Sequence, residues 1–174
     1  MTTLSTLPIN RSFLSNNKFE FVLQRLPNFT FSVQSVNLPT MSLGSIAVNS
    51  PYATVEIPGN TLSFGQLSLT FLVDEDMQSW YEIYWWMYQL GNPISLNKRG
   101  NLRDRDDVIN SVTSDASLII KTNANNPNWK VNFFGVYPTE IGEVTFSSVE
   151  SQEFLTSTVT FNFTYYEMER ASQA

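Results

Sequence analysis

The 174-residue chain contains neither cysteine nor histidine. That removes disulfides, the thiolate nucleophile, the usual general base near neutral pH and the common zinc ligands. No apolar run approaches the roughly 20 residues a membrane helix requires, and residues 1–10 lack the basic start and apolar centre of a signal peptide, so a soluble, non-secreted protein is expected. In that setting the sequons at Asn10, Asn28 and Asn162 are chance matches. Cations are scarce too: 10 Lys and Arg against 16 Asp and Glu leave a net charge of -6, a surface that repels nucleic acid rather than gripping its phosphates. There is no Gly-rich phosphate loop, nucleophile elbow or basic aromatic strip. The densest carboxylates, Asp104, Asp106 and Asp107, alternate with Arg103 and Arg105 and lack the glycine and terminal glutamate of a calcium loop. They read as a solvated or subunit-bridging charge run. The expectation is no enzyme, catalytic residue, cofactor, metal or membrane.

What the chain does have is 42 % hydrophobic and 14 % aromatic residues, ample for one core at this length. They alternate with small polar ones, the period-2 mark of strands with one buried face. Phe19, Phe21 and Leu23 oppose Glu20 and Gln24, and after Pro27-Asn28 the pattern resumes with Phe29, Phe31 and Val33. This predicts a hairpin turning at Pro27-Asn28. Residues 66–73 set Leu67, Leu69, Phe71 and Val73 against Gln66, Ser68 and Thr70. Further strands are predicted over 117–121, 129–136, 143–149 and 156–166, the last placing Val159, Phe161, Phe163 and Tyr165 on one face and Thr158, Thr160, Asn162 and Thr164 on the other.

Asp74-Glu75-Asp76 offers an N-cap and first-turn acid, residues 76–90 drop out of period 2, and Gly91 with Pro93 closes the segment, so a helix is predicted there. Met77, Trp80, Tyr84, Met87 and Tyr88 form one stripe, widened by Ile83, Trp86 and Leu90. Trp85 falls in the polar strip of Gln78, Glu82 and Gln89, which leaves an indole in water unless a loop or another subunit covers it. The predicted core is Phe19, Phe21, Phe31, Leu69, Phe71, Trp80, Tyr84, Phe146, Phe161 and Phe163. The fold class is mainly β, a β-sandwich or small barrel with one flanking α-helix and a long extended hairpin. A single domain spans 1–174, with an N-terminal arm at 1–16, the extended excursion at 40–66 and a charged loop at 92–116.

Two stretches resemble the tail tube protein family of contractile-tailed, T-even-like bacteriophages: NFTFSVQSVNLPTMSLG at 28–44 and FFGVYPTEIGEVTFSSVESQEFLTSTVTFNFTYYE at 133–167. The second carries the family's closing order of strand, Pro-Thr-x-x-Gly, polar turn and final alternating strand, and the strand-acid-helix block at 67–90 has the family's spacing. The resemblance implies a virion structural protein of the tail, assembled in the host cytoplasm. It implies hexameric rings stacked head to tail, an extended hairpin reaching neighbouring subunits, and a β-lined lumen through which duplex DNA passes without sticking. Partners would be further copies, the surrounding sheath protein, and baseplate and tail-terminator proteins. Baseplate tube initiators and the tubes of related contractile injection systems share that fold and stay open as alternatives. From the residues alone, a carbohydrate-binding sandwich using Trp85, Trp129 and Tyr166 stays open as well.

The excursion is too apolar for an idle loop, and Val48, Tyr52, Val55 and Ile57 call for a partner surface, with Trp85 beside them as an interface residue. In the charged loop Arg99, Arg103 and Arg105, with Asp106 and Asp107, are expected to pair across subunits and set register. Hydrated faces poor in cations suit a lumen, which singles out Glu20, Glu143, Thr160 and Asn162. Charge reversal at Arg103 and Arg105 together is expected to shorten assembled tubes or lower their salt resistance in electron micrographs. Tubes of normal length and salt resistance would give the loop another job.

Overall fold

The computed structural model describes residues 12–49, 51–92, 112–148 and 154–171. Among them the chain forms nine strands and one α-helix: β1 (Phe19–Leu23), β2 (Val33–Val36), β3 (Met41–Asn49), β4 (Thr54–Phe64), β5 (Leu67–Leu72), α1 (Gln78–Leu90), β6 (Ser114–Lys121), β7 (Pro127–Ile141), β8 (Thr156–Asn162) and β9 (Tyr165–Arg170). Seven of the strands make one antiparallel sheet in the order β1-β6-β7-β8-β5-β2, with β9 also on β7. β3 and β4 pair only with each other, as a separate hairpin. The mainly β sandwich with one helix and a long hairpin stands as expected from the sequence.

β7 organises the sheet. One edge pairs with β6, and the other pairs with β9 through Trp129–Phe134 and then with β8 through Tyr137–Ile141. The change of partner falls at Gly135, whose φ of +66° is a left-handed conformation that L side chains rarely adopt. Phe163-Thr164 breaks the last strand opposite it, with the Thr164 amide donating to the Phe134 carbonyl at 2.9 Å. The predicted strand 156–166 is therefore two strands, β8 and β9. Past the break the inward side changes parity: Val159 and Phe161 are buried, but Tyr166 rather than Tyr165 packs against Phe133.

Three other expectations are corrected. The hairpin at Pro27-Asn28 does not form, because Pro27 sits at φ -63°, ψ -33° and leads into a 3-10 turn, Asn28–Phe31. β1 pairs with β6 instead, and β2 with β5. The turn buries Phe29 edge-to-face on Phe71 and leaves Phe31 91 % exposed. Residues 142–148 are not a strand, and Phe146 is exposed. β6 begins at Ser114 rather than 117, so the charged loop is shorter at that end.

Asp74 starts the helix from a distance. Its carboxylate accepts hydrogen bonds from the amides of Gln78 and Ser79, both at 3.0 Å, and from the Ser79 hydroxyl at 2.6 Å. Between them Met77 takes a left-handed φ of 52°, a strain held in place by the three hydrogen bonds to Asp74. The side buried is Ser79, Ile83 and Trp86, not the stripe centred on Tyr84, which is exposed. Trp86 decides the rotation: its ring lies 6.2 Å from Phe161, its indole N–H donates to the Val112 carbonyl at 3.2 Å, and the Arg25 guanidinium covers it at 5.1 Å. Trp80 is half-buried on the core edge, as are Phe19 and Phe163, while Phe21, Leu69, Phe71 and Phe161 form its centre.

The hydrogen bonds from the Ser79 side chain, then its amide, hold the Asp74 carboxyl below its ordinary value of 3.8. Its folded pKa is thus lower than its unfolded one, so its contribution is full above that value and lost as the pH falls through the folded pKa. Asp74→Ala is expected to cost about 0.5–2 kcal/mol in denaturant melts at neutral pH. The gap between the two proteins should close on acidification below pH 3.8.

Candidate functional site

No group of three or more His, Cys, Asp or Glu among the described residues is placed to hold a metal ion. The features that invite function are surfaces, and four stand out.

The first is the arm formed by β3 and β4. Leu43 pairs with Leu62, Ile46 with Ile57 and Val48 with Val55, a run of apolar cross-strand pairs, yet all of these side chains are exposed. Tyr52 at the tip is 97 % exposed. Val48, Tyr52, Val55 and Ile57 are thus gathered on one arm. The root is held to the body: the Asn37 side chain accepts from the Ser68 amide at 2.6 Å and donates to the Gln66 carbonyl at 3.2 Å. Phe64 packs its ring 5.2 Å from Tyr166. Midway, between Leu43 and Ser45, the register shifts. There a Cβ on Gly59 would lie 2.7 Å from the Gly44 carbonyl oxygen, an approach only glycine permits. An isolated two-stranded hairpin is marginal in water, so an arm with this composition fits a partner surface.

The second is the outer side of α1. Trp85 is 45 % exposed and stacks between Tyr81 and Tyr88, at 6.3 and 5.7 Å. Trp129 lies instead under the Arg170 guanidinium at 5.5 Å, and Tyr166 joins the Phe133–Phe163 ring cluster. Trp129 and Tyr166 lie on the same side of the β7–β9 pair but in separate ring contacts, and Trp85 belongs to the aromatic stack on α1.

The third is the outward face of β2, β5, β8 and the end of β7. Ser35, Thr70 and Thr158 align across three strands, and Ser68, Thr160 and Glu140 across another three. Asn162 pairs with Tyr137. These strands carry hydroxyls and amides with no lysine or arginine. Thr160 and Asn162 lie here, whereas Glu143 is exposed beyond the end of β7. Glu20 lies elsewhere, on β1, its carboxylate 2.7 Å from the Lys121 ammonium.

The fourth is an open groove of about 1010 Å³ between β1 and β2 at the two ends of the sheet, its walls including Phe19, Val33, Val36 and Ile120. Sequence reading misses it, because its walls come from segments about a hundred residues apart that alternation alone does not bring together. It also passes over Leu43, Ile46 and Leu62, whose apolar rows become visible once the strand register is known. Arg99, Arg103, Arg105, Asp106 and Asp107 lie outside the described residues.

A family model described as phage tail tube protein matches residues 3–169. The tail tube terminator protein of Enterobacteria phage T4 is 25 % identical over 146 residues, which cover 82 % of this chain and 79 % of that protein. The tube-terminating cap of the anti-feeding prophage superposes with a TM-score of 0.67 at 15 % identity, covering 98 % of this chain and all 100 % of that one. A chain of the extended sheath-tube complex of PVC, an extracellular contractile injection system, gives 0.66 at 14 % identity over the same shares, 98 % and 100 %. Identities that low speak to the fold.

Because Val48 and Ile57 are exposed, replacing both with serine is expected to shift the unfolding free energy of the isolated chain by no more than about 0.5 kcal/mol. If the arm is an assembly surface, the same variant should also sediment more slowly than the parent at matched concentration in analytical ultracentrifugation. A large loss of stability instead would mean that the arm packs on its own body.

Proposed function

The chain belongs to the phage tail tube protein family, and on that premise we propose that it is a structural subunit of the inner tube of a contractile tail. Copies join into hexameric rings that stack into the conduit for DNA, inside a sheath and between the baseplate and the tube's terminating proteins. Assembly takes place in the host cytoplasm and the product is part of the virion. The observation that carries this reading is the arm: 24 residues, Met41 to Phe64, whose apolar pairs Leu43–Leu62, Ile46–Ile57 and Val48–Val55 are all exposed. A monomer has no use for it, and a ring does.

The hydroxyl face around Thr70, Thr158 and Thr160 is the proposed lumen wall. A wall of lysine and arginine would bind phosphates and release counterions, with affinity growing along the tube until passage stalled. Hydroxyls and amides hydrate without attracting, and an excess of six negative charges per chain keeps the duplex off nearby surfaces within the screening length of about 8 to 10 Å. Of the other residues expected at the lumen, Glu143 adds acid at the rim, whereas Glu20 lies off this face on β1, paired with Lys121, and is left out of the proposed wall.

A second reading is favoured by the likeness to the T4 tube terminator: the chain forms the closing ring at one end of the tube rather than its repeating body. A baseplate initiator or the tube of a related injection system would use the same surfaces. Immunogold labelling of intact particles separates these readings. A tube subunit is expected in many copies exposed along the core of contracted tails, and a terminator in one ring at the tube's end. Purified protein that stays monomeric at high concentration, with no ring or tube in micrographs, would overturn both.

A further inference from the structure

The fold has two unfilled features of matching shape. Among the described residues β1 pairs only with β6 and β2 only with β5, so each presents a sheet edge with no strand partner there. Between these two free edges lies the groove, with Phe19, Val33, Val36 and Ile120 along it and Phe31 and Leu38 exposed at its rim. The outer half of the arm, beyond the register shift, is Ser45–Asn49 paired with Thr54–Pro58, two runs of five residues. β1 is also five residues long and β2 four, so a single arm can run the length of either edge.

Building on the self-assembly reading, we propose that the outer half of the arm of one copy seats in the groove between β1 and β2 of the next. Ile46, Val48, Val55 and Ile57 supply the apolar surface the groove lacks, and the strand backbones meet the open edges, as in other strand-addition contacts. Charge agrees. The arm has one ionisable carboxylate, Glu56, exposed on its outer half. Lys18 lies on the groove wall and takes part in neither of the ion pairs among the described residues, whereas the groove's other lysine, Lys121, is already paired with Glu20. Glu56 and Lys18 are therefore the proposed ion pair between copies. Arm and groove are different patches, so the contact is head-to-tail, and head-to-tail contacts build rings or helical filaments instead of closed two-fold dimers.

The absence of cysteine gives a clean background for the test. Two variants, Tyr52→Cys at the arm's tip and Phe31→Cys at the groove rim, are assembled separately and as a mixture, then treated with a short bis-maleimide. The mixture is expected to yield a product of twice the 19.8 kDa chain mass, several-fold above either variant alone, and a chain carrying both cysteines should yield a ladder of multimers. In parallel, Lys18→Glu and Glu56→Lys should each reduce the assembled fraction in sedimentation, and the double reversal should restore it. Assemblies that form normally without the mixed cross-link overturn the seat while leaving self-assembly standing. So would cross-linking of the Tyr52→Cys variant to itself, or a doubly substituted chain that closes only within itself. Absence of any assembly from the parent protein would overturn the tube reading, and this inference with it.

Discussion

The fold depends on one strand serving two neighbours along the same edge. β7 is fifteen residues long, and its first half holds β9 while its second half holds β8. A strand that changes partner must leave one ladder and enter another without stranding amides, since each buried unpaired group costs about 1–3 kcal/mol. Gly135 provides the turn of backbone and the Thr164 amide fills the gap by donating to Phe134. A Cβ at position 135 would meet the Thr164 hydroxyl at 2.7 Å, so a side chain there would oppose both the local conformation and the facing strand. The core follows: Val131, Phe133 and Val136 from β7 are all fully buried and meet Phe161 from β8 and Leu118 from β6.

Burial is concentrated in that body and withheld from the arm. Elsewhere the usual rules operate, with apolar faces inward and ion pairs such as Lys130 with Glu169 left at the surface at 3.9 Å, where they contribute little. On β3 and β4, from the Leu43–Leu62 pair outwards, the same residue types face water. Exposed apolar strands are an aggregation hazard for a protein that works alone. Under the proposed function the same surface is an interface awaiting its partner, and the root is anchored to the body at Asn37 and Phe64.

How much of this could be read from the sequence depended on whether local pattern or distant pairing decided the outcome. β5 was legible because Leu67, Leu69 and Phe71 alternate without interruption and all three are buried. The helix was legible from its acid start, although the carboxylate that caps it, Asp74, acts from before a left-handed Met77 that no pattern announces. Which side of the helix faces inward was not legible, because aromatics occur almost all round it and the docking of Trp86 on Phe161 settles the matter. Phe29 and Phe31 failed for the opposite reason: perfect alternation was overridden by Pro27, which favours a helical turn. At the site, the arm's residues were visible as an apolar excursion, while the groove depends on β1 pairing with β6 across the whole chain.

The register shift in the arm has a kinetic consequence. Leu43 and Ile46 are three residues apart and Leu62 and Ile57 are five apart, odd steps in both strands, so alternation puts the inner and outer apolar rows on opposite sides. Under the proposed assembly both rows are covered only when bodies stand on both sides of the arm. A lone pair of copies would then cover only part of each arm, so the first intermediates would be weaker than the later ones. In the proposed assembly, growth would wait on a nucleus and run quickly once a complete ring offered every incoming chain two contacts at once. On that reading, assembly of the purified chain begins with a lag and then accelerates.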